Sequence, residues 1–284
     1  VADITTGLIT PFGGPALQVD ETTGRFVVTT GAPDVTVTVR WADLSHEAAG
    51  EPVFDSGGVW QLSRQADRLA FHFRSTVFGA TPYKSAWFDE RFTTGEVRLH
   101  RPYLETRGPL YPLEYPLDEL LMIGLLGQGR GVEVHACGVI DRSGAGYLFV
   151  GQSGAGKTTI ARLWLREQGA TILSDDRVVL RSMGDRLWMY GTPWHGDAPL
   201  ASPRGAPLSR VFFLQHAAQH ALVPVKGAEA AARLFASSFP PFYCAAALDF
   251  TLGFLERVVQ SVPGDVLCFA PDRTAIDFVR RHAP

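Results

Sequence analysis

At 284 residues the chain is long enough to bury a sizeable core, as one large domain or two modest ones. Its composition, 46% hydrophobic and 19% charged, is that of a globular protein, and a net charge of -3 argues against a nucleic-acid footprint or an attraction to anionic membranes. Cys137, Cys244 and Cys268 form neither a CxxC pair nor a disulfide ladder, no apolar run reaches membrane-span length, and no secretory pattern opens the chain, so a soluble cytoplasmic protein is expected.

In chain order, the first hundred residues predict β structure. Residues 25–30 and 34–40 are rich in β-branched side chains, and the second stretch alternates with period two. Residues 59–63, 68–74 and 95–100 continue the style, predicting a twisted antiparallel sheet within a β-rich domain over 1–106. Asp89 and Glu90 read as a solvated turn. Residues 107–115, punctuated by prolines, read as a connector, and Pro116 opens an apolar helix over 117–126 and a second domain over 116–284. There the pattern predicts a strand over 131–140, a turn at 141–144 and a buried strand over 146–150. A helix over 159–166, a strand over 170–173 and a hairpin pairing 178–180 with 187–190 follow, then a strand over 211–214 and a helix over 228–235. Strands alternating with helices predict an α/β core.

Between the strand at 146–150 and the following helix, Gly151, Ser153, Gly154, Ala155, Gly156, Lys157, Thr158 and Thr159 fill the phosphate-binding pattern G-x-x-x-x-G-K-[ST] with both flanks correct. The glycines allow successive backbone N–H groups to face one anion, and the helix N-terminus adds partial positive charge. Lys157 is positioned by the motif to reach β- and γ-phosphates, and the Thr158 hydroxyl to ligate Mg2+. ATP or GTP binding is the expectation. Asp175 and Asp176 follow the strand at 170–173; of two carboxylates beside bound phosphates, one can hold Mg2+ and the other accept a proton from an attacking hydroxyl. His135, on the strand preceding the phosphate-loop strand, gains weight if it lies near that pair.

The run from His135 through the glycine-rich loop, followed by Ser174, Asp175, Asp176, Arg177 and Val178, resembles the catalytic domain of HPr kinase/phosphorylase, a P-loop serine kinase family related in fold to phosphoenolpyruvate carboxykinase. The close match covers residues 135–178. The resemblance implies an α/β P-loop kinase core, preceded here by a β-rich N-terminal segment. It makes Lys157 the phosphate-binding lysine, Thr158 the Mg2+ hydroxyl, Asp176 the proton acceptor, His135 its partner and Asp175 a support for the metal. The family's metal-binding Glu has no counterpart; the corresponding loop offers His195 and Asp197, and Arg204 and Arg210 are the arginines available to neutralise charge. The layout is similar to HPr-kinase-related proteins of bacterial peptide-modification systems, including those acting on a lasso peptide precursor.

The expectation is therefore an ATP- and Mg2+-dependent kinase acting on a hydroxyl, a serine of a peptide or protein, with no nucleic-acid or membrane partner and an oligomer left open. A small-molecule kinase on the same core and a non-catalytic nucleotide-binding adaptor are the alternatives.

Overall fold

The computed structural model describes residues 1–47, 50–196 and 198–282 of a mixed α/β protein with two sheets. Contacts divide the chain into two compact units: Asp3–Gly24 with Val28–Leu125, and Val1–Ala2 and Arg25–Val27 with Leu126–Pro284.

The first unit holds strands β1 (Thr6–Ile9), β2 (Val35–Ala42), β3 (Glu51–Asp55), β4 (Trp60–Gln65), β5 (Arg68–Ser75), β6 (Gly79–Asp89) and β7 (Thr94–His100), with short helices α1 (Glu21–Gly24) and α2 (Arg101–Leu104) and the helix α3 (Leu117–Leu125). Its sheet runs β1-β2-β7-β6-β5-β4-β3. The period-two pattern of β2 is realised in burial: Val35, Val37 and Val39 are buried while Thr36 and Thr38 are partly exposed. Two expectations are corrected. The sheet is mixed, because β2 pairs in parallel with both β1 and β7. Residues 25–30 form no strand; Val27 and Val28 stay exposed, since β-branched residues adopt a strand only where a face is buried against neighbours. The unit that holds this sheet extends through α3; Gly124 of α3 packs so closely on the Phe92 ring that an added Cβ would meet it at 2.6 Å.

The second unit holds β8 (Val132–Ile140), β9 (Gly146–Val150), α4 (Lys157–Trp164), β10 (Thr171–Ser174), β11 (Arg177–Met183), β12 (Arg186–Gly191), β13 (Gly205–His216), β14 (Ala221–Pro224), α5 (Gly227–Phe235), α6 (Ala245–Ser261), β15 (Gly264–Phe269) and α7 (Thr274–His282). β9 is apolar throughout and β8 is apolar apart from Glu133 and His135, because both faces of the two strands are covered. Cys137, Val139, Tyr147 and Phe149 pack with α4 and α7 through Ile160, Trp164, Ile276 and Val279. The alternate residues Val134, Ala136, Leu148 and Val150 share a core with Leu234 of α5 and Phe254, Leu255 and Val258 of α6. Central strands are parallel (β9–β13–β15) and flanking ones antiparallel.

β10 and β11 run in succession along one side of β8, both antiparallel to it. The register shifts around Leu173, and the backbone bends at Asp175 and Asp176 between the two strands. That irregularity breaks the pleat where the acidic pair lies.

Candidate functional site

The glycine-rich turn joins β9 to α4, and the helix starts at Lys157, so Thr158 and Thr159 lie in its first turn. Gly154 and Gly156 have φ of 83° and 103°, a region only glycine enters freely; a Cβ on Gly156 would also sit 2.8 Å from the Phe269 ring. Gly156 caps α4 without a side-chain hydrogen bond, leaving the amides of the first turn for an anion. Ser153 and Gly154 are exposed at the tip of the turn, and the Ala155 amide donates to Gln152 O at 3.1 Å. Lys157 is buried and donates through Nζ to Gly151 O at 2.8 Å and Gln152 O at 3.1 Å, so its ammonium is folded over the loop. Burial lowers its pKa, opposed by the Asp176 carboxylate.

The bend after β10 brings the acidic pair to this turn. Asp175 is buried; its Oδ2 lies 3.5 Å from the Thr158 hydroxyl, and its oxygens accept from the Gly196 amide at 2.9 Å and the Ala198 amide at 3.4 Å. Asp176 Oδ1 lies 2.7 Å from His135 Nε2, and Oδ2 pairs with Arg177 Nη1. Burial pushes the Asp176 pKa up, but the His135 hydrogen bond and the charges of Arg177, His135 and Lys157 outweigh it and hold the carboxyl below its ordinary value. The mutual influence of Lys157 and Asp176 places both charges in one electrostatic neighbourhood.

Several participants were assigned no role from the sequence. Arg177 is steadied by Glu133, 3.5 Å away on β8, and by the face of Phe239, 4.2 Å from its guanidinium carbon. Ser174 Oγ donates to Trp194 O at 3.1 Å and accepts from the Asp176 and Arg177 amides at 3.2 and 3.1 Å, fixing the bend. His216 ends β13, parallel to β9, and its Nε2 donates to Gly154 O at 3.0 Å, bracing the turn. Only that parallel pairing could have flagged it.

Other candidates are placed elsewhere in their chemistry. His195 is exposed and its Nδ1 donates to Gly196 O at 2.9 Å, while Asp197 lies outside the described residues. Arg210 pairs with Asp265 at 2.8 Å, and Arg204 donates to Thr171 Oγ1 at 2.8 Å.

The donor set fits Mg2+ held jointly with nucleotide phosphates. Among the described residues no three His, Cys, Asp or Glu side chains form a metal cage, and Mg2+ ordinarily binds through one or two protein oxygens plus phosphate and water. Thr158 Oγ1 and Asp175 Oδ2, facing one another, are oxygens of that kind. Among the described residues no helix is long and apolar enough to cross a membrane.

No protein-family model matches the chain, and no curated protein matches it. Among solved structures it is similar to the Hpr(Ser) kinase/phosphatase from Coxiella burnetii, at 12% identity and a TM-score of 0.32, over 53% of this chain and 89% of that one.

Proposed function

We propose that the chain is an ATP-dependent kinase that transfers the γ-phosphate to a hydroxyl, a serine of a peptide or protein. One observation carries the reading: a carboxylate held by a histidine, Asp176 with His135, shares an electrostatic neighbourhood with the lysine of a glycine-rich turn that opens a helix. Each part alone has a bland explanation; a phosphate cradle and a positioned proton acceptor at one place do not.

Bound Mg2+ would supply charge neutralisation across the phosphates, with Thr158 and Asp175 as its protein oxygens. The amides of the turn and of the first turn of α4 bind phosphate oxygens, and Lys157 trades its two carbonyl partners for them. Asp176 takes the proton of the acceptor hydroxyl. Each of its oxygens already accepts one hydrogen bond and keeps a second lone pair for that purpose. His135 and Arg177 orient the carboxylate and hold it ionised. The rest is positioning and electrostatics, which dominate phosphoryl transfer.

The binding half is tested by calorimetry. Lys157→Ala should lose most of its ATP affinity while its unfolding temperature without ligand stays close to the wild type; equal affinity in the two proteins would remove the phosphate-cradle reading. The catalytic half is tested with labelled Mg-ATP and candidate acceptor peptides. A non-catalytic nucleotide-binding adaptor has one observation in its favour: both Asp175 oxygens already accept from the Gly196 and Ala198 amides. Tight Mg-ATP binding with transfer to no acceptor, water included, would decide for that reading.

A further inference from the structure

In the first unit, strands β4, β5 and β6 assemble a second constellation that a kinase does not use. Gln61 pairs with His72 across β4 and β5, so Ser63, two residues along, is the diagonal neighbour of His72 on the same face. Ser85 stands opposite His72 on β6. Glu47 approaches from the segment after β2. Ser63 Oγ lies 3.1 Å from His72 Nε2, and His72 Nδ1 lies 3.1 Å from both Glu47 Oε2 and Ser85 Oγ. Ser85 Oγ donates to Glu47 Oε2 at 2.6 Å.

Proton accounting assigns the tautomer. Ser85 spends its only proton on Glu47, and a carboxylate only accepts, so the hydrogen between His72 and these two oxygens must be on Nδ1. A neutral imidazole with its proton on Nδ1 has a lone pair on Nε2, and the partner facing that lone pair is the Ser63 hydroxyl. Nucleophile, base and orienting carboxylate thus stand in working order. Ser63 and His72 are almost fully buried from bulk water yet line a cavity of about 680 Å³, together with Leu44, Pro52, Phe54, Leu62 and Arg74. Its size suits a small organic ligand. Gly50 also lines it: a Cβ there would come within 2.9 Å of Ser63 Oγ and 2.5 Å of Arg64 O, so only glycine passes so close to the hydroxyl.

We propose that Ser63, His72 and Glu47 form an acyl-transfer centre that hydrolyses esters of small, largely apolar acyl groups, separate from the nucleotide chemistry. Ser63 Oγ attacks the ester carbonyl as its proton passes to His72 Nε2. The C–O bond to the alcohol then breaks, and the alcohol leaves with that proton. Water, deprotonated by the same nitrogen, attacks the acyl-serine; the acid is released and the proton returns to Ser63. Ester and water become acid and alcohol, with no other reactant. The carboxylate of Glu47 stabilises the transient imidazolium. Arg74 engages Ala80 O and Gln61 Oε1 and has further N–H donors for the developing oxyanion.

The test is labelling of the full chain with an alkyl fluorophosphonate, mapped by mass spectrometry, alongside hydrolysis of p-nitrophenyl acetate and butyrate. The label is expected on Ser63 and ester turnover should vanish in Ser63→Ala, whose folding is checked by thermal unfolding. His72→Asn should slow both labelling and turnover by about 10²–10⁴-fold, the contribution of a positioned base. A merely structural network would leave Ser63 no more reactive than any other serine. Wild-type protein with no label on Ser63, label confined to other serines, or a Ser63→Ala variant that hydrolyses the esters at the wild-type rate would each overturn the proposal.

Discussion

Asp176 shows how a single side chain is tuned. A carboxyl in a half-buried position tends toward the neutral acid, yet the hydrogen bond from His135 and the cations Arg177 and Lys157 hold it ionised, below its ordinary pKa of 3.8. The sign is that of a depressed acid: its charged form, and the stability it contributes, persist above the unfolded value and are lost as pH falls through the lowered one. Phosphoryl transfer should therefore stay flat on its acid side from neutrality down to about pH 5 as far as Asp176 is concerned; an acid limb above that range would point to a group other than Asp176 as the base. Asp176→Asn keeps the shape and removes the proposed proton acceptor. Mg-ATP should still bind, while transfer falls by about 10²–10⁴-fold, measured in single turnover. Wild-type turnover in that variant would end the assignment. Gly156 is tuned by geometry instead. Gly156→Ala meets both a φ of 103° and the Phe269 ring, so it should lose about 1–3 kcal/mol of stability, read from the denaturant midpoint, as well as nucleotide affinity.

At the scale of elements, the register of β10 and β11 along β8 is what joins histidine to aspartate. Arg177 pairs with His135 in the ladder, and without the shift at Leu173 and the bend that follows it the pleat would alternate regularly through the acidic pair. The helix α7 is held on the sheet by Arg280, whose guanidinium meets Asp141 at 2.7 Å and Glu167 at 2.8 Å and lies over the Trp164 ring. These charges are mostly buried, so truncating the cation strands two carboxylates. Arg280→Met should cost roughly 3 kcal/mol, the lower end for a buried pair broken on one side, seen as a lower urea midpoint. The turn from β6 to β7 depends on Asp89, which accepts from the amides and hydroxyls of Thr93 and Thr94. Burial opposes ionisation there, but these four donors pull the pKa down to about 2. That contribution is complete above the ordinary carboxylate pKa and fades between pH 4 and 2, so an Asp89→Asn variant should show a shallower loss of stability on acidification over that window than the wild type.

For the whole molecule, the two chemistries proposed fall in different units, and each can be followed by itself. A ligand that binds only the native second unit stabilises it by mass action, about 2.7 kcal/mol at a hundredfold excess over Kd. Mg-ATP should therefore slow amide exchange around 151–159 and 174–177, and the effect should be absent in Lys157→Ala. Exchange protection unchanged by Mg-ATP in the wild type would contradict nucleotide binding at this turn. What was legible in the sequence was local. The glycine-rich turn between β9 and α4 is written in consecutive residues, with its glycines, Lys157 and Thr158 at fixed offsets. The strands at 34–40, 68–74 and 146–150 announce themselves by alternation or by unbroken apolarity, because burial on one face or two leaves that imprint on neighbouring residues. β3 and β6 escaped because Pro52 and Pro82 interrupt their pattern, and residues 25–30 misled because β-branched composition without a buried face carries no strand. Only the tertiary structure decided that β2 pairs in parallel on both sides, that Glu133 and Phe239 converge on Arg177, that His216 braces Gly154, and that Ser63, His72 and Glu47 share hydrogen bonds. Those contacts join residues far apart along the chain, and their partners are chosen by strand register and by how faces pack, quantities that no stretch of neighbouring residues encodes.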